Sequence, residues 1–579
     1  MMSFRTRRHG APQAARAARP SGHRGARAAS GRHPARTVAM VVALAATAAC
    51  ASTTSSRSSA PSGDGTRVER VRTSGGPWGY PSPFAYSKGP GLVHDLFLFD
   101  TLLWKDSTGQ LIPWLAASWE HSADAREWRF TLRDGIRWHD GRPLTADDVA
   151  FTFDYLTKGP GKAAPGIVRL PEITEVVAES PTVVTIRLPR PFAPFEGLAG
   201  RVPIIPRHVW DQVTDPVKFQ GPSAVMGSGP YTLDSYDPAS NSYRYTANPS
   251  YFLGAPAVQN LEFVPAPDEL LGLQRGELDA ATLGLEERAV PDEQLKAFDG
   301  DRFGRITAPG ELTRALHFNL TKGFPFDDKR FRQALAYGID RKDLVTRVLF
   351  GRGDPGSPGG LAPSNDYLVK DLPTYDRDVA RAKSLLDDLG LRDTDNDGTR
   401  ERPDGSPFVA ELLTDSRFAS QTPELVKEYL RQIGISVTIK VLDPTAADAA
   451  AAQGAYQMAL LGYGGLGGDP DLLRTRLSST IKGSDFSRVQ GYNNPRFEQL
   501  ATQQLAAADQ DQRRAAVEEM QRIVADDVPM ISLYLPTRVT IFAKETFDAW
   551  YFTPGGVFGG YPGPLNKHAF ITGKTAGFR

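Results

Sequence analysis

The sequence predicts a mixed α/β protein with more than one lobe. Three observations predict it. The chain has 579 residues, 40% hydrophobic and 23% charged, an ordinary globular composition with enough apolar side chains for a large core. That length exceeds a usual single domain. Stretches with strand periodicity alternate with stretches of helix periodicity from Trp128 to Leu535, the pattern of an α/β fold.

Taken in order, the first element is a leader. Residues 1–49 hold nine arginines and no lysine or acid, and the other 58 basic side chains face 67 acids, a balance of −9. An acidic body gives no reason to expect nucleic acid as a partner. After Arg36 comes the apolar run Val38–Ala49, then Cys50, then small residues. A charged region, a short apolar run and small residues before a boundary describe an export signal, and the run is too short to span a bilayer as a stable helix. Residues 1–49 are therefore expected to be a signal sequence. Cys50 is the chain's one cysteine, so no intramolecular disulfide can form. Its position resembles a lipoprotein box, with Thr47 where leucine is commonest. Cys50 is then the lipidated mature N-terminus, and residues 50–66 are the anchor and a Ser/Thr/Gly-rich tether, holding the protein to the outer face of the cell membrane. The competing reading is a cleaved signal with an incidental cysteine.

Trp128–Arg133 alternates apolar and polar residues and predicts a strand. Asp134-Gly135 makes a turn. Thr145, with Asp148 three residues on, predicts a capped helix start, followed by Val149, Phe153 and Leu156 at helical spacing. His139-Asp140-Gly141 lies between them and looks catalytic, but Asp147 and Asp148 in a first helical turn suit the helix dipole. The structural reading of WHDG is preferred. Strands are predicted at Thr182–Leu188, Tyr231–Tyr236, Ile435–Val441, Tyr456–Leu461 and Ile531–Leu535. Helices are predicted in Asp327–Phe350, as a pair joined near Gly338, and in Asp376–Leu389, Thr422–Ile433 and Arg513–Val524.

The motif order resembles the family 5 (peptide/nickel type) extracytoplasmic solute-binding proteins of ABC importers. The segments that carry it are Leu111–Trp119 (LIPWLAASW), Phe130–Asp154 (FTLRDGIRWHDGRPLTADDVAFTFD), Gly227–Tyr231 (GSGPY) with Asn248–Phe252, Phe326–Asp340, Tyr492–Pro495 and Val528-Pro529. The resemblance covers nearly all of residues 67–555. It implies a two-lobed, periplasmic-binding-protein-like fold of the large three-subdomain class II type. Lobe I is expected at residues 67–309 plus 533–579, with an extra subdomain at about 94–224, and lobe II at 310–532. The implied role is capture of a peptide or peptide-like solute and its delivery to ABC permease subunits with their ATPase, by a monomer without catalysis. A non-peptide solute (oligosaccharide, opine or metal chelate) is the alternative. The rival outside binding is a serine hydrolase of cell-wall peptides using Ser479 in Ser479-Thr480-Ile481-Lys482.

Site residues follow from the same resemblance. Gly468–Asp471 matches a cleft loop of dipeptide-binding relatives, in which an aspartate pairs with the ligand's α-ammonium; here Leu466 stands at that position. Burying an ammonium without its carboxylate is costly, so ordinary peptides are not the expected ligand. Arg417 resembles the carboxylate-pairing arginine, or is a solvated loop residue. Trp78 and Tyr80 stack on ligand or stiffen a surface loop. Tyr463 replaces a family tryptophan and is expected to face the ligand. The Gly462–Gly467 stretch fits G-x-G-x-x-G, but Asp469 and Asp471 would repel a pyrophosphate. Asp393, Asp395 and Asp397 with Gly398 resemble the start of a calcium loop, with Asp404 where the bidentate Glu belongs. They could hold structural Ca²⁺; an Asx-rich turn is preferred. No other cofactor is expected.

Overall fold

The computed structural model describes residues 67–85, 96–163, 170–283, 289–416, 418, 421–464, 468–481, 487–507, 509–557 and 564–574. Strands are numbered in chain order. β1 (Val68–Ser74) is followed by the hairpin of β2 (Leu103–Lys105) and β3 (Leu111–Pro113). β4 (Ala116–His121) pairs with β5 (Glu127–Leu132), which buries Trp128, Phe130 and Leu132 and turns the alternate residues outward, the mark of a strand with one face on the core. β6 (Glu175–Ser180) and β7 (Val183–Arg187) complete an antiparallel sheet of order β4-β5-β7-β6. Helix α1 (Ala146–Thr157) packs on it, started by the expected capping box of Thr145 and Asp148.

β8 (Tyr231–Asp237), β9 (Ser242–Ala247) and β10 (Val258–Val264) return to β1, giving the order β1-β10-β9-β8 with β1 and β10 parallel. β11 (Ala280–Leu283) and β12 (Phe303–Ala308) flank a strand from near the end of the chain, β19 (Arg538–Ala543). These elements are lobe I. The rest of the sheet-forming chain is contiguous: β13 (Thr313–Phe318), β14 (Gly353–Pro355), β15 (Val409–Asp415), β16 (Ser436–Leu442), β17 (Met458–Tyr463) and β18 (Met530–Pro536) form one six-stranded sheet of order β14-β18-β13-β17-β15-β16. That sheet and its helices are lobe II. The helix pair expected around Gly338 is Lys329–Gly338 and Arg341–Leu349, each capped by an aspartate, Asp328 and Asp340.

Two backbone segments cross between the lobes: residues 309–312, between β12 and β13, and Thr537, between β18 and β19. The return expected at residue 533 falls within β18, whose pairing to β14 runs to Pro536. The crossings press on each other. A Cβ on Gly310 would stand 2.5 Å from the Pro536 carbonyl oxygen, so only glycine fits there.

WHDG is a docking turn. The ring of His139 accepts the Gly227 N–H at Nδ1 (3.3 Å) and donates from Nε2 to the Gly229 carbonyl (3.0 Å). A carbonyl can only accept, so the proton sits on Nε2 and the ring is neutral. Asp140 pairs with His208 at 3.0 Å. The family segment GSGPY is thereby fastened to the turn.

The C-terminal helix Lys567–Thr572 is embedded in lobe I. Lys567, 1% exposed, donates to Asp100, 0% exposed, at 2.6 Å. Its ammonium lies 4.4 Å from the ring centre of Trp104 and 5.1 Å from that of Trp114. Asp100 also accepts from Trp114 Nε1 (2.8 Å), Tyr251 Oη (2.9 Å) and Ser228 Oγ (3.1 Å). The charge pair is thus fully hydrogen-bonded, the condition under which a buried ion pair is tolerated.

Next to it, burial pushes His568 down to about 4, partly opposed by Asp106, and burial also lowers His139. A histidine whose folded pKa lies below its unfolded value of about 6.5 stabilises the fold above pH 6.5 and loses that contribution as pH falls toward the folded value. Burial raises Asp148 and Asp471, an opposing effect. Stability should therefore be compared at pH 7 and pH 4.5 in wild type and His568→Gln. The variant is expected to lose roughly 2–3 kcal/mol less than wild type on acidification; equal losses would remove His568 from the account.

Candidate functional site

The two crossings join the lobes, and the surfaces where the lobes meet can be built from described residues. On the lobe I side, Leu103 N–H donates to the Gly200 carbonyl (2.9 Å), which sets Lys105, two residues along β2, beside Arg201. Lys105 Nζ reaches the Pro554 carbonyl at 3.4 Å. At the crossing, Glu311 accepts the Gly555 N–H at 2.6 Å. On the lobe II side lie Gly468 and Asp469, and a Cβ on Gly468 would come within 3.4 Å of Gly555. Ala193 N–H donates to the Leu505 carbonyl at 2.8 Å, joining a lobe I loop to the lobe II helix Pro495–Ala506. The lobes therefore touch each other at these points.

The charges in this wall are unusual. Burial lowers Lys105 to about 8, helped by the charge of Arg201 and opposed by Glu311 and Asp469. Arg201 is 3% exposed, and burial lowers it to about 10, against the pull of Asp469. Burial pushes the Glu311 carboxyl above its usual range, against the Gly555 N–H and the charges of Lys105 and Arg538. Asp469 and Asp471 serve lobe II itself. Asp469 takes a two-pronged contact from Arg513 (3.0 and 2.5 Å), and Asp471 takes another from Arg474 (2.6 Å on both prongs).

The sequence model described as "Bacterial extracellular solute-binding proteins, family 5 Middle" matches residues 110–484. The chain belongs to this family. A probable di/tripeptide-binding protein of Pseudomonas aeruginosa is 28% identical over 462 residues, 76% of this chain and 84% of that protein. The nickel-binding periplasmic protein of Escherichia coli is 26% identical over 452 residues, 76% and 83% of the two chains. Among solved structures, the ABC transporter substrate binding protein CtaP of Listeria monocytogenes superposes with a TM-score of 0.68 at 25% identity, covering 82% of this chain and 93% of that one. The two-lobed class II fold is that of these family 5 proteins.

The expected site residues of this family 5 chain fare differently. Tyr463 is 3% exposed, and its hydroxyl bonds the Gly360 carbonyl (3.0 Å) and Ser532 Oγ (2.8 Å) inside lobe II. As the last residue of β17, it points to the side packed on the helices. Trp78 stacks on Tyr243 at 5.8 Å, and Tyr80 meets Tyr236 edge-on at 5.7 Å. Both rings are half-buried against the lobe I core, and Tyr80 lines a hollow of about 360 Å³ with His139, Met226 and Tyr236. Arg417, Leu466 and Cys50 lie outside the described residues.

Asp393, Asp395, Asp397 and Glu401 bring carboxylate oxygens within 4.8 Å of one another, a set that could take a hard cation. The sequence reading missed Glu401 because it looked three positions later, at Asp404, which instead accepts from Ser406. The turn also supports itself: Gly398, Asp397 and Thr399 donate backbone N–H groups to Asp393, Asp395 and Asp397, and Glu401 accepts from Thr394. Ser479 donates its hydroxyl to Glu498 at 2.8 Å. Arg201 and Lys105 were missed altogether. The available signal was a lone arginine in an apolar run, Leu198 to Ile205.

Proposed function

We propose that this chain is the solute-binding component of an ABC importer, capturing a peptide-like or other small solute outside the membrane and handing it to a permease. The observation that supports this reading is a pair of lobes joined, among the described residues, by two crossing segments. Such a joint lets binding energy drive closure. Relatives named for di/tripeptides and nickel span the range of solutes on this fold. Lipidation of Cys50 would hold the receptor at the outer face of the membrane.

Leu466 at the position of the ammonium-pairing aspartate favours ligands without a free α-amine there. A thermal-shift panel on the full chain tests this, with free dipeptides beside N-acetylated peptides, oligosaccharides and metal chelates. A true ligand at ~100 times its Kd adds roughly 2.7 kcal/mol of stability. Amine-free compounds are expected to raise the melting temperature while simple dipeptides leave it unchanged. Strong shifts by free dipeptides alone would refute the substitution argument and restore ordinary peptides as the substrate.

A further inference from the structure

One side chain of lobe II reaches the core of lobe I. Leu505, near the end of the helix Pro495–Ala506, is half-buried and packs against the lobe I core. Among the described residues it is the one apolar side chain of lobe II that does so. Its backbone joins the same contact. The last carbonyls of a helix have no partner within the helix, and the Leu505 carbonyl takes the N–H of Ala193 in lobe I at 2.8 Å. In separated lobes water would serve that carbonyl, so breaking the bond leaves no buried group unpaired. The preceding residue carries the contact further. Gln504, 0% exposed, donates to Asp471 at 2.5 Å and accepts from Arg513 Nε at 3.1 Å. Arg513 in turn holds Asp469, and Asn365 donates to the Gly468 carbonyl at 2.7 Å. A Cβ on Gly468 would come within 3.4 Å of Gly555 in lobe I. Two separate points of lobe contact are thus tied to one helix end.

We propose that Leu505 is a latch between the lobes, set apart from the two crossings, and that Gln504 couples it to the Gly468–Asp471 loop, so that the lobes dock on each other at both points together. This goes beyond the solute-binding reading and holds whatever solute the protein carries. A contact made only when the lobes meet stabilises the docked form over the separated one, and so sets the ratio of the two. Partial burial of one leucine is enough to move that ratio roughly tenfold. The contact can also be undone, because its parts are a half-buried side chain and a carbonyl that water can reach. The apparent affinity for a solute held between docked lobes follows the docked fraction. Leu505 then tunes affinity without touching the solute.

The test measures the distance between the lobes with no solute added. Nitroxide labels go on Lys218→Cys in lobe I and Lys427→Cys in lobe II, both exposed positions, in the full chain with Cys50→Ser so that no other thiol reacts. Pulsed electron spin resonance then reads the docked and separated populations. Leu505→Asn is expected to raise the ratio of separated to docked lobes roughly tenfold or more. Gln504→Leu should move it the same way, and the double variant should add little to the larger single effect, as parts of one unit do. Leu505→Met keeps the docked population. Leu505→Asn should melt within about 3 °C of wild type, since it loses a lobe contact and not a core. Three results would overturn the latch: the same distance distribution in wild type and Leu505→Asn, a far larger fall in the melting temperature of Leu505→Asn, or single-variant effects that simply add. Failure to find a solute bears on the solute-binding reading alone, and the distance measurement decides the latch by itself.

Discussion

Lys567→Met lowers the stability of lobe I by about 3–5 kcal/mol. The reason is the carboxylate left behind. Asp100 is wholly buried, and three neutral donors remain to it once the ammonium is gone. Hydrogen bonds alone do not replace the counter-charge of a carboxylate that is 0% exposed. The methionine keeps most of the volume between Trp104 and Trp114, so packing changes little. Urea unfolding followed by tryptophan fluorescence reads the effect, and the Asp100→Leu, Lys567→Met double variant should recover much of the loss. A single variant within about 1 kcal/mol of wild type would mean that the pair is not charged in the fold.

Gly227→Ala is expected to be as damaging, by about 4 kcal/mol or through outright loss of folded protein. A Cβ there would stand 1.8 Å from the Leu98 carbonyl oxygen, and one on Gly229 would stand 2.4 Å from that of Phe97. Neither neighbour is a flexible side chain that could yield. Moving this segment also releases three contacts with His139: its backbone N–H to the Gly227 carbonyl, the Gly227 N–H to Nδ1, and Nε2 to the Gly229 carbonyl. Expression yield and far-UV circular dichroism would show it. A folded Gly227→Ala protein of wild-type stability would mean that this close approach is relieved in solution.

The same two regions show what the sequence could and could not reveal. Local grammar was readable. Alternation gave β5, the Thr145–Asp148 pair gave α1, and the stretch Asp327–Phe350 was legible as a helix pair joined near Gly338. Long-range pairing was not. β19 sits between β11 and β12 from more than two hundred residues away, and no periodicity encodes that. Tyr463 misled because an aromatic at a family cleft position carries no mark of which side of its strand faces inward. Arg201 was passed over for a related reason. Its environment is assembled from β2, the turn that follows Ala199 and the lobe II residue Asp469, which no local pattern joins.

The pairing of Lys567 with Asp100 has a consequence in time. The two residues are 467 positions apart. At typical rates of synthesis, Asp100 leaves the ribosome roughly half a minute or more before its cation. Lobe II is drawn from one unbroken stretch and has every strand of its sheet once residue 536 is made, while lobe I still lacks β19 and the tail helix. The lobes therefore mature in the reverse of their order along the chain. The half that is begun first is finished last, and a chain still being made holds lobe I without its buried lock.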